Sequence, residues 1–125
     1  MRLSASIMFA LTVMCGAALA TPPDSISLKF DPVTHILAAT VYHPVPSNPS
    51  DHFISKVVVD VNGAAMVTQT FKRQTDKKVQ EISYVLVDVK EGDKVGLTGV
   101  CSLFGQLKKV LVVAPPQPSP GTGSK

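Results

Sequence analysis

The fold is decided by residues 53–72, FISKVVVDVNGAAMVTQTFK. In the first half of this stretch Val57 and Val59 fall on one face of an extended chain, which is the alternation of a half-buried strand. The dipeptide Asn62-Gly63 follows, and it is the strongest short-range hairpin signal because both residues tolerate the positive φ of a type I′ turn. The sequence therefore predicts a β-hairpin with these two strands: 53–61 and 65–72.

Strand-like segments continue on both sides of this hairpin. Ile26, Leu28 and Phe30 alternate before a turn signal at Asp31-Pro32, and further short runs rich in β-branched residues follow the hairpin. No sustained 3.6-residue period interrupts them. The fold class predicted is all-β, a seven-stranded antiparallel sandwich of immunoglobulin-like outline. Its strands are 25–30, 35–42, 53–61, 65–72, 79–87, 94–101 and 108–113.

Residues 1–20 have the pattern of a cleavable secretory signal peptide. Arg2 is the only charge before Asp24, an apolar run follows it, and the run ends at Ala20 in a small-x-small pattern that a signal peptidase accepts. Because the run is shorter than the roughly 20 apolar residues of a membrane-spanning helix, we expect cleavage. The predicted location is periplasmic or secreted, with an uncleaved anchor as the alternative.

The mature chain is expected to be one domain, residues 21–114, followed by a Pro/Gly-rich disordered tail, residues 115–125. Removing Arg2 from the 12 basic residues leaves 11 against 9 acidic ones, a net charge of +2. That balance argues against nucleic acid as a partner. Cys101 is the only cysteine after residue 20, so no disulfide within the mature chain is expected.

Three residues of the mature chain are candidate metal ligands: His43, His52 and Cys101. The histidines bracket a loop between two predicted strands, and the cysteine ends the sixth strand, so the three can converge at one end of a sandwich. Two imidazoles and a thiolate suit iron, copper or zinc. The alternative is that all three serve only the fold, as two exposed histidines and one buried cysteine.

Short motifs spread over about residues 25–113 resemble the iron-binding domain of desulfoferrodoxin and superoxide reductase. That family carries a His-Pro before a loop, a Glu-His-x-Ile after it and a Cys-Asn-x-His-Gly near the C-terminus. The domain of the family is an immunoglobulin-like β-sandwich. The matching segments here are Tyr42-His43-Pro44, Asp51-His52-Phe53-Ile54, Val61-Asn62-Gly63 and Cys101-Ser102-Leu103-Phe104-Gly105.

The resemblance implies a non-haem mononuclear iron centre. In the family, four histidines hold a ferrous ion in a plane, a cysteine thiolate binds axially, and superoxide is reduced by one electron to peroxide. Matched motif by motif, His43, His52 and Cys101 are the metal ligands. The resemblance thus implies a superoxide reductase-like oxidoreductase whose partner is a small redox donor protein.

The sequence departs from the family pattern at two ligand positions. Phe104 stands where the Cys-Asn-x-His-Gly motif has its histidine, and residues 21–27 contain no histidine to match the upstream ligand. His35 begins the second predicted strand and is out of register with that position. The ligand set is therefore incomplete, and Phe104 is expected to fill the space of the missing imidazole as an apolar wall.

Other functions fit parts of the pattern. A metal-free immunoglobulin-like binding module is one, since the carrier subunit of the periplasmic thiosulfate-oxidation complex also has a His-Pro before a loop, a later histidine and a similar turn. A copper electron-transfer domain needs a histidine a few residues after the cysteine, and none follows Cys101. Hydrolysis with Cys101 as nucleophile lacks a motif that would orient a base.

Overall fold

The computed structural model describes residues 22–46 and 48–116. These residues form seven antiparallel strands. This part of the chain contains no helix that is long and apolar enough to cross a membrane. The predicted signal peptide, residues 1–20, and most of the predicted tail lie outside the described residues. The strands are β1 (Ser25–Asp31), β2 (Ile36–Tyr42), β3 (Ile54–Val61), β4 (Ala64–Thr70), β5 (Val79–Val85), β6 (Lys94–Cys101) and β7 (Gln106–Val112).

The strands are arranged in two sheets, one in the order β1-β2-β5 and the other in the order β4-β3-β6-β7. The all-β prediction is confirmed, and each strand begins and ends within two residues of its predicted bounds. Alternate residues of both sheets enter one hydrophobic core, where each fully buried aliphatic side chain contributes roughly 1.5–3 kcal/mol. Core residues of these strands include Ile26, Leu28, Leu37, Ala39, Val41, Ile54, Val57, Val59, Val95 and Leu97.

The predicted hairpin is present, with β3 and β4 joined by Asn62 and Gly63. Both residues have positive φ, 51° and 86°, as a type I′ turn requires. The Asn62 side chain also accepts the backbone N–H of Lys94 at 2.9 Å and donates to the carboxylate of Asp93 at 3.1 Å. The turn is thereby attached to the start of β6.

The segments that carry the three predicted ligands lie at one end of the molecule. Because β3 and β6 are antiparallel, the start of β3 lies beside the end of β6, and Ile54 pairs with Cys101. The end of β2 reaches this region from the other sheet, followed by His43, whose backbone N–H bonds to Lys78 at 2.8 Å. All three predicted ligands therefore lie at strand ends.

Candidate metal centre

His43, His52 and Cys101 come together as predicted. One potential ligand atom from each lies within 4.8 Å of the others, and His52 Nε2 is 3.0 Å from Cys101 Sγ. All three are buried, with exposed fractions of 0%, 5% and 5%. The alternative of two exposed histidines is therefore wrong. The group could hold a metal ion.

Hydrogen bonds between neighbours of the two ligands hold His52 beside Cys101. The Phe53 N–H donates to Ser102 Oγ at 3.1 Å, and the Ser102 N–H donates to the carbonyl of Phe53 at 2.8 Å. The pairing shifts here, since Ile54 lies opposite Cys101 whereas Lys56 lies opposite Val100. A bulge of this kind re-aims side chains at the end of a strand. This bulge positions the start of β3 so that the imidazole of His52 contacts the thiol of Cys101.

His43 is held by the segment between β4 and β5. The imidazole Nδ1 is 2.7 Å from Oε1 of Gln74, and the carbonyl of His43 accepts the Gln74 amide N–H at 2.8 Å. Gln74 is fully buried. The sequence does not reveal the role of Gln74, because a single glutamine in a polar connection carries no motif. Ser102 belongs to the segment Cys101–Gly105, but the motif gives no sign that it bonds to Phe53.

The two imidazole rings lie edge to face, with centroids 4.7 Å apart and an interplanar angle of 85°. Burial lowers the pKa of His52, because a charged ring is poorly solvated there. The nearby His43 lowers this pKa further. His52 is thus favoured in its neutral form, the form that ligates metals. The backbone N–H of Leu103 points to Cys101 Sγ at a long 3.4 Å.

One donor spacing in the group, between His52 Nε2 and Cys101 Sγ, can be compared with the spacing of ligands on a transition metal. With metal–nitrogen bonds of about 2.0–2.1 Å and metal–sulfur bonds of about 2.3 Å, two adjacent ligands lie about 3.1 Å apart at 90° and about 3.6 Å apart at the tetrahedral angle. The observed 3.0 Å between His52 Nε2 and Cys101 Sγ is close to the first value. The same 3.0 Å is also a hydrogen-bond distance.

Phe104 does not behave as predicted. Its side chain is 67% exposed, so it does not form a buried apolar wall beside the histidines. The reason lies in the turn 102–105, where Gly105 has a φ of 86° and its carbonyl accepts the Cys101 N–H at 2.9 Å. This tight turn buries Cys101 and leaves the middle of the turn on the surface.

His35 stays apart from the group. It precedes β2 whereas His43 follows it, and a seven-residue strand separates its two ends by about 23 Å. His35 Nδ1 lies 3.3 Å from the carbonyl of Leu86, and its ring packs edge-on against Phe30. The interpretation that His35 is no replacement ligand agrees with this position.

Comparisons of the chain with protein-family models, with curated proteins and with solved structures gave no match.

Proposed function

We propose that this protein is an exported metal-binding domain in which His43, His52 and Cys101 hold one transition-metal ion. The observation that carries the proposal is the convergence of their ligand atoms within 4.8 Å at a buried position. Two imidazoles and a thiolate are a donor set that selects iron, copper or zinc over magnesium or calcium. Among these metals, we propose iron because of the motifs shared with the superoxide reductase family.

The order of the strands supports an immunoglobulin-like sandwich, since two antiparallel sheets of three and four strands share one core. When bound in a complete site, iron in the superoxide reductase family supplies the one-electron reduction of superoxide. Here the chain offers three of five family ligands, and each is almost fully buried. We therefore propose that the protein binds iron and has weak or no superoxide reductase activity. Any superoxide reduction would need a small redox donor protein as partner.

The test is to load the purified mature protein with ferrous iron, oxidise it and record metal content and the visible spectrum. One iron per chain and a thiolate-to-ferric charge-transfer band are expected. Cys101→Ser should remove the band. His35→Asn is the matched control, because His35 lies at the far end of β2 and asparagine tolerates its positive φ of 59°. Absence of bound iron in the unsubstituted protein would contradict the proposal.

A second candidate function is a metal-free binding module. The observation that favours it is the 3.0 Å contact between His52 Nε2 and Cys101 Sγ, which satisfies both groups by a hydrogen bond without an ion. The same loading experiment separates the two functions. A protein that binds neither iron, zinc nor copper, yet loses stability in the Cys101→Ser variant, would use these residues for the fold alone and so favour the metal-free module.

A further inference from the structure

The buried amide of Gln74 takes part in four hydrogen bonds. Its Oε1 accepts from the Ile54 N–H at 3.0 Å and lies 2.7 Å from His43 Nδ1. Its Nε2 donates to the carbonyl of His43 at 2.8 Å and to the carbonyl of Asp76 at 3.1 Å. A side-chain amide has two donors and two acceptor positions, so the full capacity of Gln74 is used.

This network fixes which way the amide faces. A flipped amide would set its NH₂ against the Ile54 N–H and its oxygen against two carbonyls, which is three unfavourable contacts inside a buried site. Oε1 therefore faces His43, and an amide oxygen only accepts. It follows that His43 Nδ1 carries the proton and donates it to Gln74.

We infer that Gln74 is a positioning residue of the centre, one that fixes His43 in the tautomer with a protonated Nδ1. In the neutral ring the lone pair then belongs to Nε2, which becomes the nitrogen that a metal can use. Hydrogen bonds of this kind to the non-ligating nitrogen set the ring orientation of metal-bound histidines, and their loss typically weakens metal affinity about 10- to 100-fold. This inference rests on the proposed function for its metal consequence alone.

Gln74 also connects the ligands to one another. Its Oε1 bonds both the imidazole that follows β2 and the N–H of Ile54, the residue that lies opposite Cys101 and two positions after His52. One amide thus links His43, which follows a strand of the three-stranded sheet, to the start of β3 in the four-stranded sheet, beside the other two candidate ligands. Removing it should disturb the angle of His43 more than it disturbs the contact between His52 and Cys101.

The experiment compares Gln74→Met with Gln80→Met, a matched control. Gln80 is also buried, but its amide bonds Thr75 and Glu81 and neither histidine. In the metal-free protein, long-range ¹H–¹⁵N spectra should show His43 protonated at Nδ1 in the unsubstituted chain and in Gln80→Met. In Gln74→Met we expect protonation to move to Nε2 or to be shared.

Cobalt(II) titration supplies the second readout. Affinity should fall about 10- to 100-fold in Gln74→Met and change by less than about twofold in Gln80→Met. The spectrum of the unsubstituted chain decides the tautomer by itself if Gln74→Met does not fold. His43 found protonated at Nε2 in the unsubstituted chain would overturn the inference, as would an unchanged tautomer in Gln74→Met. If the unsubstituted chain binds no cobalt, the proposed function fails while the spectra still decide the role of Gln74.

Discussion

Gly105 illustrates how a single residue can shape the candidate site. It has a φ of 86°, and a Cβ built on it would lie 2.7 Å from the Cβ of Pro22 and 3.2 Å from its Cα. Its carbonyl accepts the N–H of Cys101. The missing side chain is therefore required both by the turn and by the close approach of the N-terminal segment.

Gly105→Ala is expected to lower the free energy of unfolding by about 2–4 kcal/mol. About 1–2 kcal/mol comes from placing an L-residue in the left-handed region, and the remainder comes from the clash with Pro22. Gly92→Ala is the control, since Gly92 also has a φ of 86° but has nothing within 4 Å of its would-be Cβ. Urea unfolding of both variants measures the difference, and equal losses would show that the Pro22 contact is unimportant.

The clustering of the three candidate ligands could be predicted from the sequence, whereas the residues that support them could not. His43, His52 and Cys101 are chemically unusual residues at predicted strand ends, so a sandwich brings them within reach. Gln74 is distinguished only by its burial, which depends on the path of the segment between β4 and β5. The exposure of Phe104 likewise depends on the turn at residues 102–105. A motif alignment gives the position of Phe104 in the sequence, but it does not show where the turn directs its side chain.

At the scale of elements, the segment between β4 and β5 carries more order than its polar sequence indicates. Asp76 accepts the backbone N–H groups of Lys78 at 2.7 Å and Val79 at 2.9 Å, and its own carbonyl accepts from Gln74. These two backbone hydrogen bonds, with a smaller contribution from the Lys78 charge, lower the pKa of Asp76 below 3.8. The ionised carboxylate therefore stabilises the segment that holds Gln74.

A dependence of stability on pH follows. Because the pKa of Asp76 is lower in the folded protein, its contribution is complete above the unfolded value near 3.8 and is lost as the pH falls through the folded pKa. Asp76→Asn keeps an oxygen acceptor without the charge. The difference in unfolding free energy between the two proteins should be largest near neutral pH and vanish in strong acid, as measured by denaturant titration. A difference that stays constant with pH would contradict this role.

The strands were predictable because they depend on local signals, and the irregularities were not. The Asn62-Gly63 turn and the alternation of β3 define a hairpin without reference to the rest of the chain. The two register shifts of β3, near Ser55 against β6 and between Val59 and Asp60 against β4, arise from pairing with other strands. No periodicity in the sequence of one strand encodes such a shift.

At the scale of the whole molecule, the candidate site joins the two sheets. His43 follows β2 of the three-stranded sheet, whereas His52 precedes β3 and Cys101 ends β6 of the four-stranded sheet. The three donors come together only when the sheets pack on their common core. A metal that uses all three therefore binds the folded state far better than the unfolded chain, and binding is coupled to stability.

Zinc added to the metal-free protein should therefore raise Tm. At a free concentration about 100 times Kd, the gain is about 2.7 kcal/mol, or roughly 10 °C or more for a domain of this size. Cys101→Ser should lose most of this increase, because the hard hydroxyl replaces the thiolate that ties β6 to the histidines. His35→Asn should keep all of it, since His35 lies at the opposite end of β2. Calorimetry with and without zinc measures each increase, and an equal increase in Cys101→Ser would mean that the zinc binds somewhere other than between the sheets.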